Sequence, residues 1–360
     1  MKDLSYAVIV GENKLSVLTP YPIPDALIGR KVVNLGDGFI LRAIERLLGH
    51  FNSKKIFSPR VSLSLDAINS LEASPAVILA GANQLNDRYT VWPGLTADSI
   101  RGSNLRLVPF GIGFHGETGY TDGLSDTSKD VLHALHEKIE FSSWRCPHTV
   151  AFLRQQLPEL ASQFLMTGCP VIYDKPLLSD KPFNMATRRI AVTVTERKDF
   201  WVRETAVIDF VANHFPRSQR YLVLHQNYSP PGRFEHLQHR WLPERVSAQN
   251  DYQRLRRYAV RRGFKVICPA DADSCMVFYD HIDLHIGSRL HAHLFFLSQA
   301  KRSWLVPVDG RAVGMAEFLG FPLCSPDEMA AALDFDFGIV RECAQTGFSV
   351  MRRFVESLPQ

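Results

Sequence analysis

Residues 281–311 read HIDLHIGSRLHAHLFFLSQAKRSWLVPVDGR, and their pattern of apolar residues changes twice. Apolar and polar residues alternate over residues 282–286, which predicts a short, half-buried strand. Leucines then recur at helical spacing over residues 290–297, so a helix is expected to follow, with Ser288 as its N-cap and one apolar face on a core. Residues 304–308 predict the next strand. A strand–helix–strand unit of this kind implies parallel pairing and a right-handed crossover.

The expected first turn of this helix carries Arg289 and His291. Free backbone N–H groups and the positive end of the helix dipole lie at the same place. Together with a guanidinium and an imidazole they suit a phosphate or a carboxylate. The alternative is structural, because a lone arginine and histidine usually pair with local groups. The rest of the chain is needed to decide between the two.

Length and composition indicate a globular protein of two domains. The chain has 360 residues, 46% hydrophobic and 22% charged, with a formal net charge of +4. We expect domains at residues 1–183 and 184–335 and a C-terminal helix at 336–360 that crosses back onto the first domain, with a polar linker at 178–189. The charge is too small for a dedicated nucleic-acid binder, so no nucleic-acid partner is expected.

The compartment is expected to be the cytoplasm. The chain begins without a secretory signal and contains no uninterrupted apolar segment long enough to span a bilayer. Its six cysteines are scattered without a C-x-x-C motif, which is typical of reduced thiols.

Both halves of the chain alternate apolar strand patterns with helical patterns. In the first half, residues 76–80 and 105–109 each end in a glycine-containing polar loop, and in the second half the strand at 190–194 ends near Arg197. Ligands of open parallel sheets bind at such carboxyl ends. The predicted fold class is α/β, with two Rossmann-like β/α domains facing a cleft in a GT-B-like arrangement.

Several short motifs follow one another along the chain. They are Asn34-x-Gly-Asp37, Leu79-Ala-Gly81, Ser143-x-Arg145-x-x-x-Thr149-x-x-x-Leu153, Thr167-Gly-Cys-Pro170 and, above all, Ile286-Gly-Ser-Arg-Leu-His-Ala292. No single motif is decisive, but their ordered combination is specific. With this combination the chain resembles the polysaccharide pyruvyl transferase family over roughly residues 30–325.

The resemblance implies transfer of pyruvate, as a ketal, from phosphoenolpyruvate to a sugar of a polysaccharide or of its lipid-linked precursor. Phosphoenolpyruvate is then a co-substrate, and no cofactor is expected. Its phosphate and carboxylate need at least two cationic points, and the reaction needs an acid for the enol carbon and a base for the attacking hydroxyl.

The implied site has two sides. The second domain is the donor side and the first domain the acceptor side, with His291, Arg289 and Asp37 as the catalytic residues. The donor-binding residues are Gly287, Ser288, Arg289, His291 and Arg197. The acceptor-binding residues are Asn34, Asp37, Asn83 and Arg145. The role of His291, acid or phosphate clamp, stays open, because a dianionic ligand raises its pKa and a helix N-terminus lowers it.

Other functions remain open at this stage. A glycosyltransferase of the same architecture would hold the diphosphate of a nucleotide sugar at Arg289 and His291, and a non-catalytic carbohydrate-binding protein could keep the fold. No metal is expected, because His281 and His285 would lie about 13 Å apart on a strand, and His236 and His239 lack a zinc-enzyme pattern.

The loop-rich segment at 228–249 would either cap the site or meet the inner face of a membrane.

Overall fold

The computed structural model describes residues 12–21, 34–114, 123–225 and 253–359. The predicted loop at 228–249, with His236 and His239, lies outside these ranges. Within them the protein is α/β, as predicted, and its sheets are parallel. The described helices include none that is both long and apolar enough to cross a membrane.

The first sheet has four parallel strands in the order β4-β2-β5-β6. Two further parallel pairs, β1 with β3 and β7 with β8, flank it. Strands β5 and β6 are buried along their whole length, which explains their continuous apolar sequence. The strands of this half are β1 (Glu12–Asn13), β2 (Ser16–Leu18), β3 (His50–Phe51), β4 (Ile56–Phe57), β5 (Val77–Ala80), β6 (Leu107–Phe110), β7 (Ser142–Trp144) and β8 (Phe164–Met166).

The second sheet has five parallel strands: β9 (Arg189–Thr193), β10 (Gln219–Val223), β11 (Lys265–Ile267), β12 (Leu284–Gly287) and β13 (Ser303–Leu305). Their order is β11-β10-β9-β12-β13. The parallel pairing of β12 with β13 confirms the predicted strand–helix–strand unit.

The prediction that β12 is half-buried is wrong, because all four of its residues are buried. The strand lies inside a sheet that is covered on both faces. Its polar residue, His285, is tolerated there because the ring nitrogens contact Thr193 Oγ1 at 2.8 Å and Ser303 Oγ at 2.7 Å. The polar residue in the alternating pattern is therefore a buried, hydrogen-bonded histidine and does not indicate a solvent-exposed face of the strand.

The helices cover both sheets. In chain order they are α1 (Leu35–Leu48), α2 (Leu65–Glu72), α3 (Ala97–Arg101), α4 (Asp126–His136), α5 (Pro147–Gln156), α6 (Lys175–Leu178), α7 (Trp201–His214), α8 (253–261), α9 (Ala272–Asp280), α10 (Leu290–Ser298), α11 (Gly310–Leu319), α12 (Met329–Ala332) and α13 (Gly338–Glu356). Helix α13 reaches the first sheet, where the Phe354 and Phe110 rings meet edge to face at 5.0 Å.

The leucine spacing predicted one buried face for helix α10, but the helix is buried on every side. It contacts β12 and β13 of the second sheet and also α1 and α6, which follow strands of the first half. A helix surrounded in this way has no solvent face to make it amphipathic. Its first turn is consequently held between the two halves of the chain.

Helix α1 brings the first half to that turn. It begins at Leu35, with Asn34 as the N-cap whose side chain accepts a hydrogen bond from the Gly36 N–H at 3.2 Å. The segment that contains Asp37 is therefore the first helical turn. Gly38 allows close packing, because a Cβ there would lie 2.5 Å from the Ala272 side chain.

Candidate functional site

A cavity of about 180 Å³ lies at the carboxyl ends of β9, β12 and β13, where helix α1 approaches them. This is the edge at which open parallel sheets bind ligands. Its lining residues are Asn34, Gly36, Thr195, Arg197, His225, Ser288, Arg289, Leu290, His291, Leu305, Val308, Asp309, Arg311 and Ala312.

The N-terminal ends of three helices line the cavity: α1, α10 and α11. Each exposes backbone N–H groups that have no partner within the helix, and each contributes the positive end of a dipole. The N-cap of α10 is Arg289, with no side-chain cap bond, so the expected cap at Ser288 is wrong. The Ser288 hydroxyl instead donates to Glu204 Oε1 at 3.2 Å. Because no side chain caps α10, its first N–H groups remain available to an anion.

His291 is buried in the first turn of α10. Its Nε2 is buried and has no hydrogen-bond partner. Its Nδ1 lies against Gly36, where a Cβ would approach to 2.5 Å. Burial, together with the nearby charges of Arg311 and Arg145, lowers the pKa of His291 to about 3. The imidazole is therefore neutral at pH 7, with one nitrogen left for a ligand.

Arg289 lines the cavity, but its guanidinium is largely engaged by the protein. Nε donates to the Val194 carbonyl at 2.7 Å, and Nη2 donates to the Thr195 carbonyl at 3.0 Å and to Glu196 Oε1 at 2.9 Å. Glu196 is buried and has a φ of +63°, an uncommon backbone conformation for a residue other than glycine. Arg289 thus holds the segment after β9 in place, a role that the sequence did not suggest.

Arg197 follows the same strand and lines the cavity, as expected for a strand-end residue. Its side chain is exposed. Among the residues that the structure describes, no hydrogen bond or ion pair involves its guanidinium. A ligand in the cavity can therefore recruit this charge without breaking an existing contact.

Arg311 is a cavity residue that the sequence analysis missed. It lies in the first turn of α11 and forms a two-point ion pair with the N-cap, Asp309, with Nε–Oδ1 at 2.8 Å and Nη2–Oδ2 at 2.5 Å. The signal was present, because Asp-Gly-Arg ends the same strand–loop–helix pattern that led to Arg289.

Asp37 lies in the first turn of α1 and is buried. Burial raises its pKa to about 6, in spite of Arg60, whose Nη2 lies 3.3 Å from Oδ2, and of the hydrogen bond from Asn34. The charge of Arg311 also acts on it. Such a carboxyl exchanges protons near neutral pH, which suits a general acid or base. Asn34 lines the cavity itself.

Asn83 and Arg145, both expected on the acceptor side, lie together outside the cavity lining. Arg145 Nη2 donates to Asn83 Oδ1 at 2.6 Å. The arginine is only 1% exposed, and its Nε and Nη1 have no partner. Burial lowers its pKa, and its charge in turn helps to lower the pKa of His291. A buried guanidinium with unpaired N–H groups is costly, and an anion bound nearby would offset that cost.

Within the described ranges, no group of three or more histidine, cysteine, aspartate or glutamate side chains could hold an ion.

Comparison with known proteins yields one family match and several distant structural similarities. The model of the family described as polysaccharide pyruvyl transferase matches residues 34–310. Among curated proteins, no sequence matches the chain significantly.

The solved structures that resemble the chain are distant. One is S. aureus MnaA with UDP, with 12% identity, 95% of each chain covered and a TM-score of 0.47. Another is a UDP-forming trehalose-phosphate synthase from Burkholderia vietnamiensis, with 14% identity, 88% of this chain and 77% of that chain covered and a TM-score of 0.41. A third is an accessory secretory protein structure from Streptococcus pneumoniae, with 10% identity and a TM-score of 0.41; the match covers 84% of this chain but only 52% of that one. Similarities this weak do not bear on activity.

Proposed function

The chain belongs to the polysaccharide pyruvyl transferase family, and on that premise we propose that it transfers pyruvate from phosphoenolpyruvate to a sugar, forming a ketal across two hydroxyls. The observation that carries the proposal is the state of His291. A neutral imidazole with an unpartnered Nε2 lies among helix N-termini and arginines, in a cavity large enough for a small dianion.

The size of the cavity suits this donor. The cavity measures about 180 Å³, and a three-carbon phosphate fits within that volume. Sites for drug-sized ligands commonly have volumes of roughly 300–1,000 Å³, so a nucleoside diphosphate joined to a hexose would have to extend beyond the lining residues.

Donor binding is assigned to Arg197, whose guanidinium has no hydrogen bond or ion pair among the described residues, and to Arg311, whose Nη1 takes no part in the pair with Asp309. The two arginines follow β9 and β13, and the N–H groups at the start of α10 follow β12, the strand that lies between those two. The phosphate and carboxylate of phosphoenolpyruvate would each meet a guanidinium or a helix N-terminus. His291 Nε2 would contact the phosphate, which makes the histidine a phosphate ligand in this proposal. Arg289 acts by holding the segment that carries Arg197.

The proposed chemistry balances without a cofactor. The methylene carbon of phosphoenolpyruvate takes up one proton and becomes a methyl group, and one sugar hydroxyl bonds to the central carbon. Phosphate leaves with the electrons of its C–O bond, and the second hydroxyl closes the ketal. The two hydroxyls release two protons. One restores the acid that protonated the methylene carbon, and the other leaves with phosphate.

Asp37 is the group to which we assign proton transfer. Its pKa of about 6 allows the carboxyl to accept a hydroxyl proton at neutral pH and to release it again. Asn34, which caps the same helix and lines the cavity, would bind the acceptor sugar.

The acceptor is a sugar or oligosaccharide, free or lipid-linked, and the reaction takes place in the cytoplasm. The cysteines form no disulfide with one another, which fits a reducing compartment.

Ligand-induced thermal stabilisation tests the donor. The purified full chain is heated with phosphoenolpyruvate and, separately, with UDP-sugars, and phosphate release from phosphoenolpyruvate is measured with glycan extracts as acceptors. We expect stabilisation and phosphate release with phosphoenolpyruvate only, and loss of both in His291→Ala. His281→Ala, which changes an exposed histidine, is the matched control and should behave as wild type. Stabilisation by UDP-sugars alone would contradict the proposal.

A further inference from the structure

Helix α8, residues 253–261, presents a row of arginines to solvent. Its sequence, QRLRRYAVR, contains no acidic residue. Leu255 and Ala259 are buried against the core, whereas Arg254, Arg257 and Arg261 are exposed. The spacing of three and then four residues places these three arginines on one face of the helix. We call this face the arginine stripe.

The arginine stripe has no counter-charge in the part of the chain that the structure describes. No ion pair there involves Arg257 or Arg261, and Arg254 lies over the Trp201 ring, with Cζ 4.5 Å from its centroid. Arg262, which follows the helix directly, is by contrast paired within the protein: its Nε lies 2.6 Å from Asp209 Oδ1. An unpaired row of like charges costs free energy by repulsion, so an external anionic surface would stabilise it.

Exposed apolar side chains accompany the arginines. Val260, on α8, is 57% exposed, and Val202, next to Trp201 at the start of α7, is 81% exposed. Arginines beside exposed apolar side chains and an aromatic ring are the combination by which helices bind to the surface of a bilayer. A partner that is only charged, such as a soluble polyanion, would leave the valines unused.

We propose that the arginine stripe docks the protein on a membrane surface rich in anionic phospholipids. Trp201 contacts the stripe through Arg254, and Arg197, four residues earlier, lines the cavity. Four residues of extended chain span at most about 14 Å, so docking would bring the cavity close to the lipid headgroups. The proposal concerns attachment to the bilayer and does not depend on pyruvate as the transferred group.

Co-sedimentation with lipid vesicles tests the docking. The full chain is mixed with phosphatidylcholine vesicles and with vesicles of phosphatidylcholine and phosphatidylglycerol, at low and at high salt. We expect binding to the second kind only, weakened by salt. Each basic residue at a membrane surface contributes about a fivefold gain in binding. The triple variant R254Q/R257Q/R261Q should therefore bind roughly a hundredfold more weakly.

Two further variants distinguish the arginine stripe from net charge. R88Q/R106Q/R352Q removes three exposed arginines elsewhere, so its net charge equals that of R254Q/R257Q/R261Q. It keeps the arginine stripe and should therefore bind as wild type. R254K/R257K/R261K keeps the charge and should also bind. Failure of the wild type to bind anionic vesicles, equal losses in the two glutamine variants, or stripe-dependent binding to duplex DNA without binding to vesicles would each overturn the proposal.

Discussion

Replacing Arg311 with glutamine removes a guanidinium from the cavity at small cost to the fold. Its partner Asp309 is 28% exposed and Arg311 itself 30% exposed, so water screens the ion pair. Pairs of this kind contribute about 0–1 kcal/mol to stability. The free energy of unfolding of Arg311→Gln should therefore fall by no more than about 1 kcal/mol.

The effect of Arg311→Gln on ligand binding should be larger. A hydrogen bond to a charged group is worth about 1.5–3 kcal/mol, and this corresponds to a roughly 10- to 150-fold rise in the Kd for phosphoenolpyruvate. Arg311→Lys keeps the charge but loses the planar fork, so its Kd should lie between those of the glutamine variant and the wild type.

Arg289→Gln is the contrasting variant. The change removes donors to the Val194 and Thr195 carbonyls and takes one ion-pair partner from the buried carboxylate of Glu196. Breaking a buried pair from one side costs about 3–5 kcal/mol. This variant should unfold at a clearly lower urea concentration, in addition to binding the donor poorly.

Two assays separate these outcomes. Urea unfolding followed by tryptophan fluorescence measures stability, and isothermal titration with phosphoenolpyruvate measures the Kd. The reasoning would be refuted if Arg311→Gln bound phosphoenolpyruvate as tightly as wild type, or if it lost as much stability as Arg289→Gln.

Three further predictions concern the first turn of α1. The folded-state pKa of Asp37, about 6 against 3.8, favours its neutral form, so this contribution to stability is present at low pH and is lost as pH rises through 6. Asp37→Asn should therefore be more stable than wild type by up to about 3 kcal/mol at about pH 8, with no gain at about pH 4, as measured by urea unfolding. Arg60 lowers the pKa of Asp37, so Arg60→Gln should move the acidic limb of the kcat/KM profile to higher pH; an unmoved limb would assign it to the substrate. In Gly36→Ala the new Cβ must displace the His291 ring, since it would lie 2.5 Å from Nδ1, and transfer should fall about 100-fold with the urea midpoint nearly unchanged; wild-type turnover would disprove the contact.

The local pattern of the sequence was enough to predict the second sheet around β12. The change from alternating residues to helical spacing predicted the strand and the helix, and the helix between β12 and β13 implied their parallel pairing. These features depend on neighbours in the chain, which is why one sequence suffices. Arg289 and His291 could likewise be located at the helix start, and both line the cavity.

Features that depend on distant residues could not be predicted. Ser288 has the right chemistry for an N-cap, but its hydroxyl donates to Glu204, which lies 84 positions earlier in the chain. The hydrogen-bond partners of Arg289 are 93 to 95 positions away, so its role in holding the segment after β9 could not be inferred from the local sequence. The neutral state of His291 depends on burial and on Arg311, neither of which a spacing reveals.

Burial also explains why Arg145 is informative in the structure and ambiguous in the sequence. A strand-end arginine is usually solvated, and the motif around it gave no sign of its depth. In the structure it is buried with two guanidinium nitrogens unpaired, and its charge acts on His291. Such a group marks a place where an anion would complete the protein's hydrogen bonding.

The most direct test of the proposed pyruvyl transfer is the mass of the sugar product. The full chain is incubated with phosphoenolpyruvate and with free or lipid-linked oligosaccharides extracted from cells that contain the protein, and the products are analysed by mass spectrometry while phosphate is counted. The proposal predicts a glycan heavier by one pyruvate less one water, with one phosphate released for each modified glycan and neither change in His291→Ala. A glycan that gains mass only from a nucleotide sugar, with phosphoenolpyruvate left intact, would contradict it.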